Sequence, residues 1–249
     1  MKKYLLAIAV AVFAVTNVFA GNDDDDDKTP GGWDFEVPGL KVSKSTDSSS
    51  KPKVKSSISS TFSFGFIGGV SQDPGVGINM GQSFEIEWGD VISGKVRVGR
   101  KDFLRLGMGF DWRNYRMTDR MFVKELDGKI TSQEYPAGTE PKFSRIHTFS
   151  LSFPLKYYHY FNKKMYFAVG PELYITPWAS LKTKFYDANG EEQKITAENL
   201  HENRVSVGIG AEINIHHIGI YYKYNPFNVL SSSFGPGFAS MTTGIKIAF

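Results

Sequence analysis

The sequence predicts an all-β fold, an antiparallel up-and-down β-barrel of about eight strands. Three observations predict it. Apolar and polar residues alternate with period two along successive segments. The connections between those segments alternate strictly between short and long. One face of each segment is bulky and apolar, while the other collects charge, glycine and serine, as in a wall between lipid and a polar interior.

The first 20 residues read as a targeting signal. Lys2 and Lys3 give a positive start, residues 5–15 form an apolar run too short to cross a bilayer as a helix, and Val18-Phe19-Ala20 ends on the small residue that a signal peptidase requires. An N-terminal anchor helix is the alternative that this shortness disfavours. Removal of Lys2 and Lys3 from the 29 basic residues leaves 27 against 26 acidic ones, without the basic excess of a nucleic-acid binder. A secreted chain enters a compartment that permits disulfides, yet Cys is absent, which also excludes a lipid-modified cysteine at the mature N-terminus.

Residues 21–56 differ in composition, with an unbroken acidic run at 23–27 followed by a Lys, Ser and Pro-rich stretch. Such a segment buries little apolar surface and is expected to be a disordered, flexible tether. The acidic run lacks the turn geometry of a cation site and reads as a solvated charge run. Trp33, Phe35, Val37 and Leu40 are candidates for local docking.

The barrel is expected over residues 57–249. In the first strand Phe62, Phe64 and Phe66 alternate with Ser63, Gly65 and Ile67. The second sets Ile92, Val96 and Val98 against Ser93, Lys95 and Arg97. In the third, Leu104 to Trp112 alternate with Arg105, Asp111, Arg113 and two glycines. The fourth sets Phe149, Leu151, Phe153, Leu155 and Tyr157 against Ser150, Ser152, Pro154, Lys156 and Tyr158. In the fifth, Phe167, Val169, Leu173 and Ile175 alternate with Ala168, Gly170, Glu172 and Tyr174. The sixth sets Val205, Val207, Ile209 and Ile213 against Ser206, Glu212 and Asn214. In the seventh, Ile218, Ile220 and Tyr222 face away from Gly219, Tyr221 and Lys223. The last sets Ile245, Ile247 and Phe249 against Gly244, Lys246 and Ala248. About ten residues at about 3.3 Å each, tilted near 45°, cover roughly 23 Å, close to the apolar band of an outer membrane.

The stretches 99–102, 162–164 and 215–217 are short, whereas 71–89, 118–143, 179–203 and 225–237 are long. Transmembrane barrels alternate tight periplasmic turns with extended outer loops in this way. Asp127-Gly128 and Asn189-Gly190 favour primed hairpin turns, so the strands flanking the two longest loops are expected to project as ribbons.

Gly31-Gly32-Trp33 resembles the Gly-x-Trp signature of lipocalins, which are secreted up-and-down barrels with apolar interiors. Face polarity argues against that reading. The non-apolar face carries Lys95, Arg97, Arg105, Asp111, Arg113, Lys156, Glu172, Glu212, Lys223 and Lys246, which form a candidate interior charge network. Tyr157, Tyr158, Tyr160, Phe161, Tyr166 and Phe167 cluster around one short turn. Trp112, Tyr115, Tyr174, Trp178, Tyr222 and Tyr224 lie beside long loops, and together the two sets fit the aromatic girdles of membrane–water interfaces. Unpaired charge is costly in a narrow barrel, so the interior is expected to be plugged, with Glu172 and Glu212 among the acidic partners.

Phe153-Pro154-Leu155-Lys156-Tyr157-Tyr158, Val169-Gly170-Pro171-Glu172-Leu173 and the C-terminal Gly244-Ile245-Lys246-Ile247-Ala248-Phe249 carry a resemblance over residues 57–249. The chain resembles the PorT-like outer-membrane β-barrel domain family of Bacteroidota-type bacteria. That resemblance implies an outer-membrane location and makes Ile245, Ile247 and Phe249 a last-strand signal for the barrel-assembly machinery. It implies role far less than fold, since members differ in role.

Catalytic patterns do not assemble. A lipid A–modifying barrel enzyme needs a His and a Ser two residues apart, but His147 is followed at that spacing by Phe149, and Ser150 faces the other way. His216 and His217 share a short turn and point apart, so they read as interfacial histidines and not as metal ligands. The expectation is a monomeric, non-enzymatic protein without cofactor or metal, set in outer-membrane lipid, with loops 118–143 and 179–203 offered to an external ligand or envelope protein. A small channel is the alternative.

Overall fold

The computed structural model describes residues 32–38, 40–44, 53–55, 60–117 and 119–249. The segment expected to be a signal, residues 1–20, and the acidic run at 23–27 lie outside these residues. Among the described residues there are fourteen strands and no helix. They are β1 (Trp33–Val37), β2 (Leu40–Lys44), β3 (Lys53–Lys55), β4 (Thr61–Val70), β5 (Phe84–Arg97), β6 (Asp102–Met117), β7 (Met121–Lys124), β8 (Ile130–Gln133), β9 (Glu140–Asn162), β10 (Met165–Tyr186), β11 (Glu192–Glu198), β12 (Val205–Ile215), β13 (Ile218–Asn225) and β14 (Ala239–Ala248).

The main sheet is antiparallel throughout. Hydrogen bonding runs β5-β4-β14-β13-β12-β10-β9-β6, and β6 pairs back with β5. Each of these strands therefore has a partner on both sides. Period two decides which side chains face inward. On β12 and β13 burial alternates strictly, with Ser206, Glu212, Asn214, Tyr221 and Lys223 buried and Val207, Ile209, Ile213, Ile218 and Ile220 exposed. The polarity is inverted relative to a water-soluble sheet. Pairing register aligns Phe64, Ile245, Ile220, Ile213 and Phe167 into one outward apolar row across five strands. One row over on the inner face lie Gly65, Gly244, Tyr221, Glu212 and Ala168, where small residues at both ends leave room for Tyr221 and Glu212.

Several expectations need correction. Strand β5 begins inside the stretch 71–89 expected to be loop, because Phe84, Ile86 and Trp88 already alternate with Glu85 and Glu87. Its regular ladder breaks between Trp88 and Ile92 at a bulge, where Asp90 takes a left-handed conformation (φ 53°). The fourth and fifth strands extend beyond their regular alternation, since β9 starts at Glu140 and β10 continues to Tyr186, where it pairs with β11 in a ribbon of the kind expected. The turns at Asp127-Gly128 and Asn189-Gly190 are not primed. Only Gly128 (φ 87°) and Gly190 (φ 80°) are left-handed, and Gly128 N–H and Gly190 N–H donate to Glu125 O and Asp187 O. That is a three-residue loop, a type I turn completed by a left-handed glycine.

Part of the segment expected to be a tether is ordered strand. β1 and β2 form a hairpin, and β1 pairs with Ser93–Val96 of β5. The reason is the stagger of the sheet. β4 accompanies β5 only from Phe84 to Gly89, which leaves the next stretch of β5 with an unpaired edge that β1 covers.

Candidate functional site

The inner face of the sheet holds a connected set of buried ion pairs. Glu85 on β5 is fully buried and accepts from Arg113 Nε at 2.9 Å and Lys223 Nζ at 2.8 Å. Lys223 also reaches Glu87 at 2.8 Å and lies 3.7 Å from Glu172. Arg113 makes a second bond to Asp111 at 2.9 Å, and its guanidinium stacks over the Tyr174 ring at 4.3 Å. Glu172 accepts from Lys156 at 2.6 Å and from the Tyr174 hydroxyl. Lys156 donates onward to Glu212 at 2.9 Å, and Lys246 reaches the same carboxylate at 2.9 Å. Ser152 Oγ, Tyr221 and Thr242 complete the coordination of Glu87 and Glu85. Alternate carboxylates and cations thus neutralise one another where solvation is lost, the condition under which buried charge is tolerable.

Of the residues expected in this network, Asp111, Arg113, Lys156, Glu172, Glu212, Lys223 and Lys246 lie in it. Arg105 forms a separate cluster, 3.5 Å from Asp90 and 3.7 Å from Glu36 of the N-terminal hairpin. Lys95 and Arg97 depart from the expectation. Lys95 Nζ sits 3.9 Å from the centroid of the Phe103 ring and Arg97 lies 5.1 Å from it, because they occupy the opposite end of β5 from Glu85 and Glu87. Glu85 and Glu87 themselves escaped the sequence reading, although the alternation Phe84-Glu85-Ile86-Glu87-Trp88 carries their signal. Three tyrosines expected in the girdles, Tyr115, Tyr158 and Tyr174, are buried on the inner face. Strand parity, not residue type, set their direction. Ile245, Ile247 and Phe249 are exposed at the end of the chain.

Toward the long connections the charge network gives way to a core of ordinary apolar packing. Ile67, Tyr115, Met117, Ile146, Ala179 and Leu181 from the strands meet Val76, Ile78, Phe122, Ile130, Leu200, Leu230 and Phe238 from the connections. Phe238 stacks on Phe122 with centroids 6.3 Å apart and meets Tyr115 edge-on at 5.4 Å. The inward set changes from charged to apolar along β10 past its bulge between Ile175 and Trp178. Part of the 118–143 connection packs into this core: β7 and β8 form a hairpin whose Phe122 and Ile130 are buried.

His147 lies opposite Ser180 in the ladder between β9 and β10, and its ring meets Trp178 edge-on at 5.5 Å. Among the described residues no group of three or more His, Cys, Asp or Glu is placed to hold a metal ion.

No protein-family model matches this chain, and neither does any curated protein. Among solved structures it is similar to Ail, the attachment invasion locus protein of Yersinia pestis, at 11% identity and a TM-score of 0.36, over 77% of this chain and 98% of that one. It is similar also to Ail in complex with the heparin analogue sucrose octasulfate, at 13% identity, a TM-score of 0.36 and the same coverage.

Proposed function

We propose that this chain is a secreted precursor of an integral outer-membrane protein, a closed eight-stranded β-barrel whose role is structural or adhesive and is exercised through its outer mouth. One observation carries the reading. The buried face holds Glu85, Glu172 and Glu212 with their cations, while the exposed face holds Phe64, Ile220 and Ile245 at 42%, 63% and 57% exposure. In water such a sheet would be inside out; in lipid it buries its polar atoms and wets its apolar ones. Antiparallel pairing returns to β5, and β1 covers the stretch Ser93–Val96 that β4 does not accompany, which withdraws those strand edges from the lipid.

The reading is non-enzymatic because its polar groups are spent on one another, and non-conducting because charge below and apolar packing above both obstruct a lumen. It includes removal of residues 1–20, a role for Ile245, Ile247 and Phe249 in assembly, and kinship with the PorT-like family. Outer-membrane fractionation and heat-dependent mobility on a denaturing gel test it. A band that shifts on boiling and fractionates with the outer membrane is expected. A soluble periplasmic protein of fixed mobility would overturn it.

A further inference from the structure

The outward face changes character along β6, β9 and β10. Trp112 pairs with Phe149, and Phe149 pairs with Trp178, which forms an aromatic row across the three strands. Four residues further along β6 and β9, Arg116 pairs with Arg145, and Arg145 pairs with Lys182. At about 3.3 Å per residue and a tilt near 45°, this basic row stands roughly 9 Å above the aromatic one. The next outward row adds Lys194 opposite Lys184.

These cations are short of anions. Lys184 and Lys142 are both engaged by Glu192. Among the described residues no carboxylate pairs with Arg116, Arg145, Lys182 or Lys194. Both guanidinium groups lie over the Phe143 ring, at 5.0 and 5.3 Å, and the Nε of each has no hydrogen-bond partner. Like charges directly opposite across strands repel, so an uncompensated row calls for an anion from outside the chain.

We propose that Arg116, Arg145 and Lys182 form a binding row for the phosphate groups of outer-leaflet lipid. The row adjoins the aromatic boundary of the apolar band, at the height where headgroup phosphates lie, and guanidinium forks suit phosphate oxygens. The inference rests on the membrane reading above and deepens it.

The test uses the full mature chain refolded into nanodiscs containing either bisphosphorylated lipid A or its dephosphorylated form, with retained lipid measured after detergent extraction. The wild type retains the phosphorylated form about tenfold better, a preference that salt weakens. Combining Arg116→Gln, Arg145→Gln and Lys182→Gln abolishes the preference, whereas Arg116→Lys with Arg145→Lys keeps it. Lys163→Gln with Lys164→Gln, at the opposite short turn, changes nothing. Equal retention of the two lipids, or an undiminished preference in the triple variant, would overturn the proposal. So would binding of a soluble sulfated polysaccharide by this row without any lipid preference. Absence of a heat-dependent mobility shift in the wild type overturns the membrane reading itself and the row with it, whereas a normal shift with no lipid preference overturns the row alone.

Discussion

Lys223 Nζ stands 2.8 Å from Glu85 Oε1, although the two residues are 138 positions apart in the chain. The pair joins β5 to β13 across the inner space of the sheet. Lys223 is also the cation that ties Glu87 and Glu172 into the same set.

Replacing that cation removes a shared partner from three buried carboxylates and leaves Glu87 without a cation. Lys223→Met is expected to cost about 3–5 kcal/mol, the usual penalty of breaking a buried pair by removing one partner. Urea unfolding in detergent micelles, followed by tryptophan fluorescence, reads it. Adding Glu85→Gln should recover part of the loss, because it removes one of the stranded charges. A single variant as stable as the wild type would show that the carboxylates are already neutral.

Gly170 is required by close approach of two backbones. A Cβ there would strike Leu155 O and come within 2.9 Å of Lys156 Cα, and neither is the end of a flexible side chain. Gly170→Ala should therefore force β9 and β10 apart and cost about 1–3 kcal/mol. The measure is the fraction of refolded protein that shows heat-dependent mobility. Undiminished refolding would mean the strands separate without penalty.

Phe238 is fully buried in the apolar core, against Tyr115 and Phe122. Phe238→Ala should remove about 3–5 kcal/mol of local packing. Amide exchange should accelerate in β7 and β8 while the heat-dependent shift persists. Planar-bilayer recordings should show no discrete conductance in the wild type, nor in this variant, because the ion-paired layer beneath still obstructs the path. Stable single-channel steps in the wild type would refute the closed interior.

Glu192 lies on the β10–β11 ribbon, outside the apolar band. Hydrogen bonds from Lys184 and Lys142 hold its carboxyl down to about 2. Since the folded value lies below the unfolded one, its contribution is present above the ordinary carboxylate range and fades as pH falls toward about 2. Acidification from pH 5 should thus loosen β11, seen as faster amide exchange relative to Glu192→Gln, which lacks the dependence. Identical pH profiles for the two proteins would remove the pair from any role in the ribbon.

Much of the architecture is legible in period two. Alternation located the inner and outer faces of β9, β12, β13 and β14, and with them Lys156, Glu212, Lys223 and Lys246, because strand parity is a local property of the backbone. Where parity conflicted with composition, parity decided, which is why Tyr115, Tyr158 and Tyr174 point inward. The alternation of β10 breaks off at Ile175 because the bulge before Trp178 interrupts it.

The sequence by itself determined the strand order of polar and apolar faces, the alternation of short and long connections, and the identity of most buried cations. Tertiary structure alone decided which carboxylate meets which cation, that β1 covers the free edge of β5, and that the long connections pack into a cap. Those outcomes depend on stagger and on contacts between residues far apart in the chain, such as Glu85 with Lys223 or Glu36 with Arg105. Period two reports the direction of each side chain but carries no information on its height relative to a distant strand, and that height is what makes an ion pair.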